Sequence, residues 1–101
     1  MIKKKRVLIT GAGGFLGVEL CAKFSKLNYD LICLEKNKSK IKFLRKKLLK
    51  FKNDKLFFLV DITNEEKIKK LFNNLKKKKY YIDIIINNAA NNPVVKKTKK
   101  I

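Results

Sequence analysis

Apolar residues follow two rhythms that alternate along the chain. Short unbroken runs occur at Val7-Leu8-Ile9, Leu31-Ile32-Cys33-Leu34, Leu56-Phe57-Phe58-Leu59-Val60 and Ile84-Ile85-Ile86. They are too short for helices and apolar on both faces, as strands of a covered parallel sheet are. Between them apolar residues recur at helical spacing: Leu16, Leu20, Phe24 and Leu27, then Ile41, Leu44 and Leu48, then Ile68, Leu71, Phe72 and Leu75. The pattern predicts strands over 6–10, 30–34, 55–60 and 82–86, and helices over about 15–27, 40–50 and from a Thr63 cap to about 78. Asn28 is the expected stop of the first helix. Asn37-Lys38-Ser39 is the expected turn and cap before the second, and Thr63-Asn64-Glu65-Glu66 has capping-box spacing before the third.

Strand and helix alternating three times, then a final strand, predicts an α/β fold. Right-handed crossovers make it a Rossmann-type doubly wound parallel sheet with helices on both faces. Four strands in the order 3-2-1-4 and three helices are expected, a truncated version of that architecture, over residues 1–90. Residues 91–101 hold the only proline and a lysine cluster, and are expected to form a tail. The crevice between the first and fourth strands is then the expected ligand site.

The first strand runs into Thr10-Gly11-Ala12-Gly13-Gly14-Phe15-Leu16-Gly17, which contains all four glycines of the chain. Glycine suits positions where backbone takes positive φ or must come close to a ligand. A strand feeding such a turn and then a helix N-terminus presents free N–H groups to an anion. Residues 7–17 are therefore expected to receive the diphosphate of a dinucleotide. Three more features fall at strand ends on the same rim: Glu35, Asp61 with Ile62, and Asn87-Asn88-Ala89-Ala90. Glu35 stands 24 residues after Gly11, where a carboxylate receives the ribose hydroxyls of an adenosine.

Together these motifs resemble the cofactor half of the short-chain dehydrogenase/reductase family. The glycine spacing is similar to that of its extended branch, which includes sugar-nucleotide epimerases and dehydratases. The Asn-Asn-Ala run resembles the shorter oxidoreductase branch, with Ala90 where glycine is usual, and Asn92-Pro93 after it resembles members linked to glycan modification. The resemblance implies that Thr10, Gly11, Gly13, Gly14, Phe15, Leu16 and Gly17 form the diphosphate loop and Glu35 holds the adenosine ribose. It further implies that Asp61 and Ile62 contact adenine, Asn87 steadies the fourth strand, and Ala89 passes its backbone close to the cofactor. Glu35 favours NAD, because a carboxylate repels a 2′-phosphate, while Lys36 beside it leaves NADP open.

The family's proton-transfer pair is a tyrosine with a lysine four residues on. Here Tyr29, Tyr80 and Tyr81 are followed at that spacing by Cys33, Ile84 and Ile85, so no catalytic residue carries over. The expectation is the amino-terminal cofactor-binding part of an oxidoreductase, inactive alone. A free-standing nucleotide-binding module, or a fragment of a sugar-nucleotide enzyme, is the alternative. A complementing carboxy-terminal polypeptide or self-association is the expected partner, since an uncovered fourth strand would expose Ile82, Ile84 and Ile86 on one face or Ile85 on the other.

Charge changes the picture less than its size suggests. The net charge is +19, but all except two of the 27 basic residues are lysines spread over most of the chain. Arginine, the better reader of bases, occurs only as Arg6 and Arg45, so polyanion or nucleic-acid binding is a subordinate alternative. With no histidine and two cysteines twelve residues apart, no metal site is expected, and both cysteines fit buried thiols of a reducing, cytoplasmic compartment. No apolar run approaches a membrane span, and no membrane partner is expected.

Overall fold

The computed structural model describes residues 4–89, so Ala90 and the expected tail at 91–101 lie outside the described residues. Seven elements follow in order: β1 (Arg6–Thr10), α1 (Phe15–Lys26), β2 (Asp30–Glu35), α2 (Lys38–Leu48), β3 (Lys55–Leu59), α3 (Glu65–Lys77) and β4 (Ile84–Ile86). The strands form one parallel sheet in the order β3-β2-β1-β4, the order expected of a doubly wound fold. β1 and β2 are central and carry the core: Val7, Leu8, Ile9 and Leu31 to Leu34 are all essentially inaccessible.

Successive residues of a strand face opposite sides, so the sheet sorts its apolar residues into two layers. Val7, Ile9, Leu31 and Cys33 meet Cys21 of α1 and Leu44 and Leu48 of α2. Leu8, Ile32 and Leu34 meet Leu75 of α3, with Ile68, Leu71 and Phe72 packed around them. The change of side between α2 and α3 places the crossover that opens a crevice at the carboxyl ends of the strands.

Helix α1 packs differently from its apolar periodicity. Its buried line is Gly17, Cys21 and Ser25, while Leu16 and Leu27 are exposed and Leu20 and Phe24 flank the contact. Small side chains let the helix lie close to the sheet, so the larger residues are displaced to its edges. Asn28 does end the helix, taking a positive φ as its amide bonds the Ser25 carbonyl. The α2 cap falls within the expected turn at 37–39, and the α3 cap one residue after the expected Thr63. Asn37 caps α2, its Oδ1 accepting both the Lys40 amide and the Ser39 hydroxyl. Asn64 caps α3, because the Thr63 hydroxyl is turned back to donate to Asp61.

β4 is shorter than the apolar run that signals it. Asp83 accepts the Arg6 amide through its side chain, and ladder pairing begins only at Ile84. Ile82, before the strand, packs on the α3 side, whereas Ile84 and Ile86 pack on the α1 side. Ile85 is left 60% exposed.

Cys21 and Cys33 are fully buried free thiols with sulfurs 3.8 Å apart. Their shared hydrogen bond, followed by burial, pushes the Cys33 thiol far above the ordinary thiol range. Neither should therefore react with a maleimide in the folded chain. Labelling is expected to be slower than in denaturant by about a hundredfold or more, and equal rates in the two states would contradict this packing.

Candidate functional site

The corner between β1 and α1 is built on two glycines with distinct duties. Gly11 takes φ +60°, and a Cβ there would come within 2.9 Å of the Ala89 Cα. At Gly17 a Cβ would stand 2.1 Å from the Gly11 carbonyl oxygen, so the first turn of α1 lies against the end of β1 only with glycine at this position. Gly14, by contrast, has ordinary extended backbone, and a Cβ there would meet nothing closer than the Gly11 oxygen at 3.4 Å. Its vacant side faces the cleft.

The amides of this corner divide into used and unused. Ala12 N donates to the Leu34 carbonyl, Gly14 N to the Gly11 carbonyl and Gly13 N to Glu35 Oε1. Phe15, Leu16 and Gly17 form the first turn of a helix that has no side-chain cap. Among the described residues their amides meet no acceptor. Such unpaired donors at the positive end of a helix dipole suit an anion.

Glu35 ends β2 with only 6% of its surface exposed. One carboxylate oxygen takes the Gly13 amide and the other the Asn37 amide, both at 3.0 Å. The side chain thereby ties the glycine corner to the start of α2, where Gly13 lies directly against Lys40. Each carboxylate oxygen keeps a further acceptor position, and Glu35 still lines the cleft.

At the opposite wall the Thr10 hydroxyl donates to Asn87 Oδ1 at 3.1 Å and accepts the Ala89 amide at 2.9 Å. Asn88 Nδ2 donates to the Gly11 carbonyl. These three bonds fix the segment after β4 against the glycine turn. At the end of β3, Asp61 Oδ1 accepts both the amide and the hydroxyl of Thr63. Those bonds, the backbone one foremost, hold its carboxyl below the ordinary carboxylate range with help from Lys36. The group is fully exposed and stays ionised at neutral pH.

The result is an open cleft of about 300 Å³ along the carboxyl rim, at the small end of ligand sites. Of the residues picked out in the sequence, Gly11, Gly14, Phe15, Leu16, Glu35, Asp61, Ile62 and Ala89 line it. Thr10, Gly13, Gly17 and Asn87 do not; they brace its walls from behind. Sequence reasoning gave no role to Asn88 or Lys40, both of which reach the cleft. A signal for Lys40 was present: Gly13 is outside the three-glycine spacing, so it needs a close neighbour of its own.

The family model for short chain dehydrogenase matches residues 5–100. No curated protein matches the chain. Among solved structures, a short chain dehydrogenase from Bacillus anthracis is 29% identical, with a TM-score of 0.75 over 85% of this chain and 34% of that one. L-sorbose reductase from Gluconobacter frateurii, complexed with NADPH and L-sorbose, is 22% identical with a TM-score of 0.77, over 89% of this chain and 35% of that one. A NADH-dependent reductase, A1-R′, complexed with NAD, is 27% identical with a TM-score of 0.73, over 88% of this chain and 37% of that one. The chain thus spans about a third of the length of these proteins.

The two glycines separate folding from binding. Gly17→Ala should destabilise the chain by about 3 kcal/mol or more, because backbone has to move. Gly14→Ala, in allowed backbone with open space, should cost no more than about 1 kcal/mol. Urea denaturation of the two variants checks this, and similar losses would contradict the geometry of the corner.

Proposed function

The chain belongs to the short-chain dehydrogenase family, and on that premise we propose that its cleft binds a nicotinamide dinucleotide. The observation that carries the reading is the unpaired first turn of α1 beside the vacant side of Gly14. Three backbone donors and a helix dipole converge there on a space with no side chain in it. A diphosphate supplies the missing acceptors and charge.

The remaining contacts follow from position along the rim. Glu35 offers its free acceptor positions to the adenosine ribose, and Asp61 and Ile62 offer a carboxylate and an apolar wall to the adenine. Ala89, held by Thr10, brings backbone to the nicotinamide side, while Asn87 and Gly13 act by keeping the walls in register. NAD is the expected cofactor, since a 2′-phosphate would stand against the Glu35 side chain, and Lys36 only partly offsets that repulsion. Bound here, the nicotinamide would supply hydride transfer to or from a carbonyl substrate.

The chain contributes binding and orientation to that chemistry. None of its three tyrosines has a lysine four residues on, so the proton-transfer step requires groups from outside these 101 residues. A polypeptide carrying them would meet the open β4 edge and exposed Ile85, which adjoin the cleft wall.

Titration calorimetry tests the reading. NAD should bind saturably and more tightly than NADP, and Asp61→Ala should weaken it by about tenfold in a chain that still unfolds cooperatively. Gly14→Ala should abolish binding in a folded chain. Absence of saturable binding at millimolar NAD would overturn the assignment, and tighter binding of NADP would overturn the ribose contact alone.

A further inference from the structure

Residues 36–53 contain nine basic residues and no acidic one. Helix α2 lies at the centre of this stretch and buries only Leu44 and Leu48. Its outer side presents Lys42, Arg45, Lys46 and Leu49 at helical spacing, with Phe43 beside them, around an open groove of about 530 Å³. Leu49 is 78% exposed and Phe43 50% exposed, so neither serves the core. Lys38, Lys42 and Lys46 follow one another at four-residue intervals, where like charges repel. Among the described residues no carboxylate comes within ion-pair distance of an α2 cation.

Cations with no counter-charge, set around exposed aliphatic and aromatic side chains, match a surface that is anionic outside and apolar beneath. We propose that the outer side of α2 docks onto anionic phospholipid, with the lysines at headgroup phosphates and Phe43 and Leu49 entering the acyl boundary. A nucleic acid fits less well. It offers the 78% exposed Leu49 no apolar environment. The one arginine of the helix is stacked on Phe57 at 4.9 Å. No helix among the described residues is long and apolar enough to cross a membrane, so this contact lies on the surface. The proposal is independent of dinucleotide binding, since the groove and the cleft share no lining residue.

Co-sedimentation of the full chain with vesicles tests it. Vesicles of phosphatidylglycerol and phosphatidylcholine should bind the chain saturably, and phosphatidylcholine alone should not. The double variant Phe43→Ser/Leu49→Ser should bind about tenfold more weakly with an unchanged melting temperature. Lys42→Gln/Lys46→Gln should weaken binding markedly, whereas Lys69→Gln/Lys70→Gln, an equal loss of charge on α3, should not. Equal effects of the two lysine pairs would mean adsorption by net charge and would overturn the proposal. So would unchanged binding by the serine variant, failure to bind anionic vesicles, or tighter binding to oligo(dT) at equal phosphate concentration.

Discussion

The approach of α1 to the carbonyl of Gly11 is the constraint on which the rim depends. With glycine at position 17 the helix starts immediately beyond β1, and Phe15 and Leu16 of its first turn line the crevice. A larger residue would push that turn outward, and the donors of Phe15, Leu16 and Gly17 would no longer converge. Small residues continue the same contact down the helix, at Cys21 and Ser25, so the seating of α1 on the sheet and the geometry of the proposed anion site are one packing decision.

Two polar groups then hold the corner from either side. Glu35 accepts an amide from the glycine turn and another from the start of α2, which joins β2 to its neighbour across the rim. Thr10 does the same toward the end of β4 with a single hydroxyl, donating to Asn87 and accepting from Ala89. A buried carboxylate satisfied by backbone N–H groups suits this duty, since its desolvation is offset by charge-assisted bonds. The same side chain still borders the cleft, so bracing and ligand contact are compatible roles for Glu35.

Much of this was legible in the chain. The parallel sheet followed from alternation and handedness, its strand order from the usual doubly wound arrangement, and the glycine corner from residue types that admit few other uses. What escaped were effects of tertiary packing on local pattern. The helical stripe of Leu16, Leu20, Phe24 and Leu27 misidentifies the inward side of α1, because close approach selects small residues over large ones. Thr63 has good capping chemistry, yet Asn64 is the cap, since the Thr63 hydroxyl bonds elsewhere. Ile82 reads as strand, but the Arg6–Asp83 bond delays pairing and sends Ile82 to the other layer. Lys40 and Asn88 had no individual role assigned, because their place at the cleft depends on contacts between distant segments, Lys40 with Gly13 and Asn88 with the Gly11 carbonyl.

The composition carries two meanings that the structure separates. Most lysines are dispersed on exposed surfaces, and Lys76 and Lys77 sit at the end of α3, which begins with Glu65 and Glu66, as its dipole favours. Helix α2 instead gathers cations without carboxylates around exposed apolar groups. At the centre of the account is the first turn of α1, and amide-resolved magnetic resonance during an NAD titration addresses it most directly. The Phe15, Leu16 and Gly17 amide signals should shift together and saturate with one dissociation constant. Saturable binding that leaves these three signals in place would contradict it.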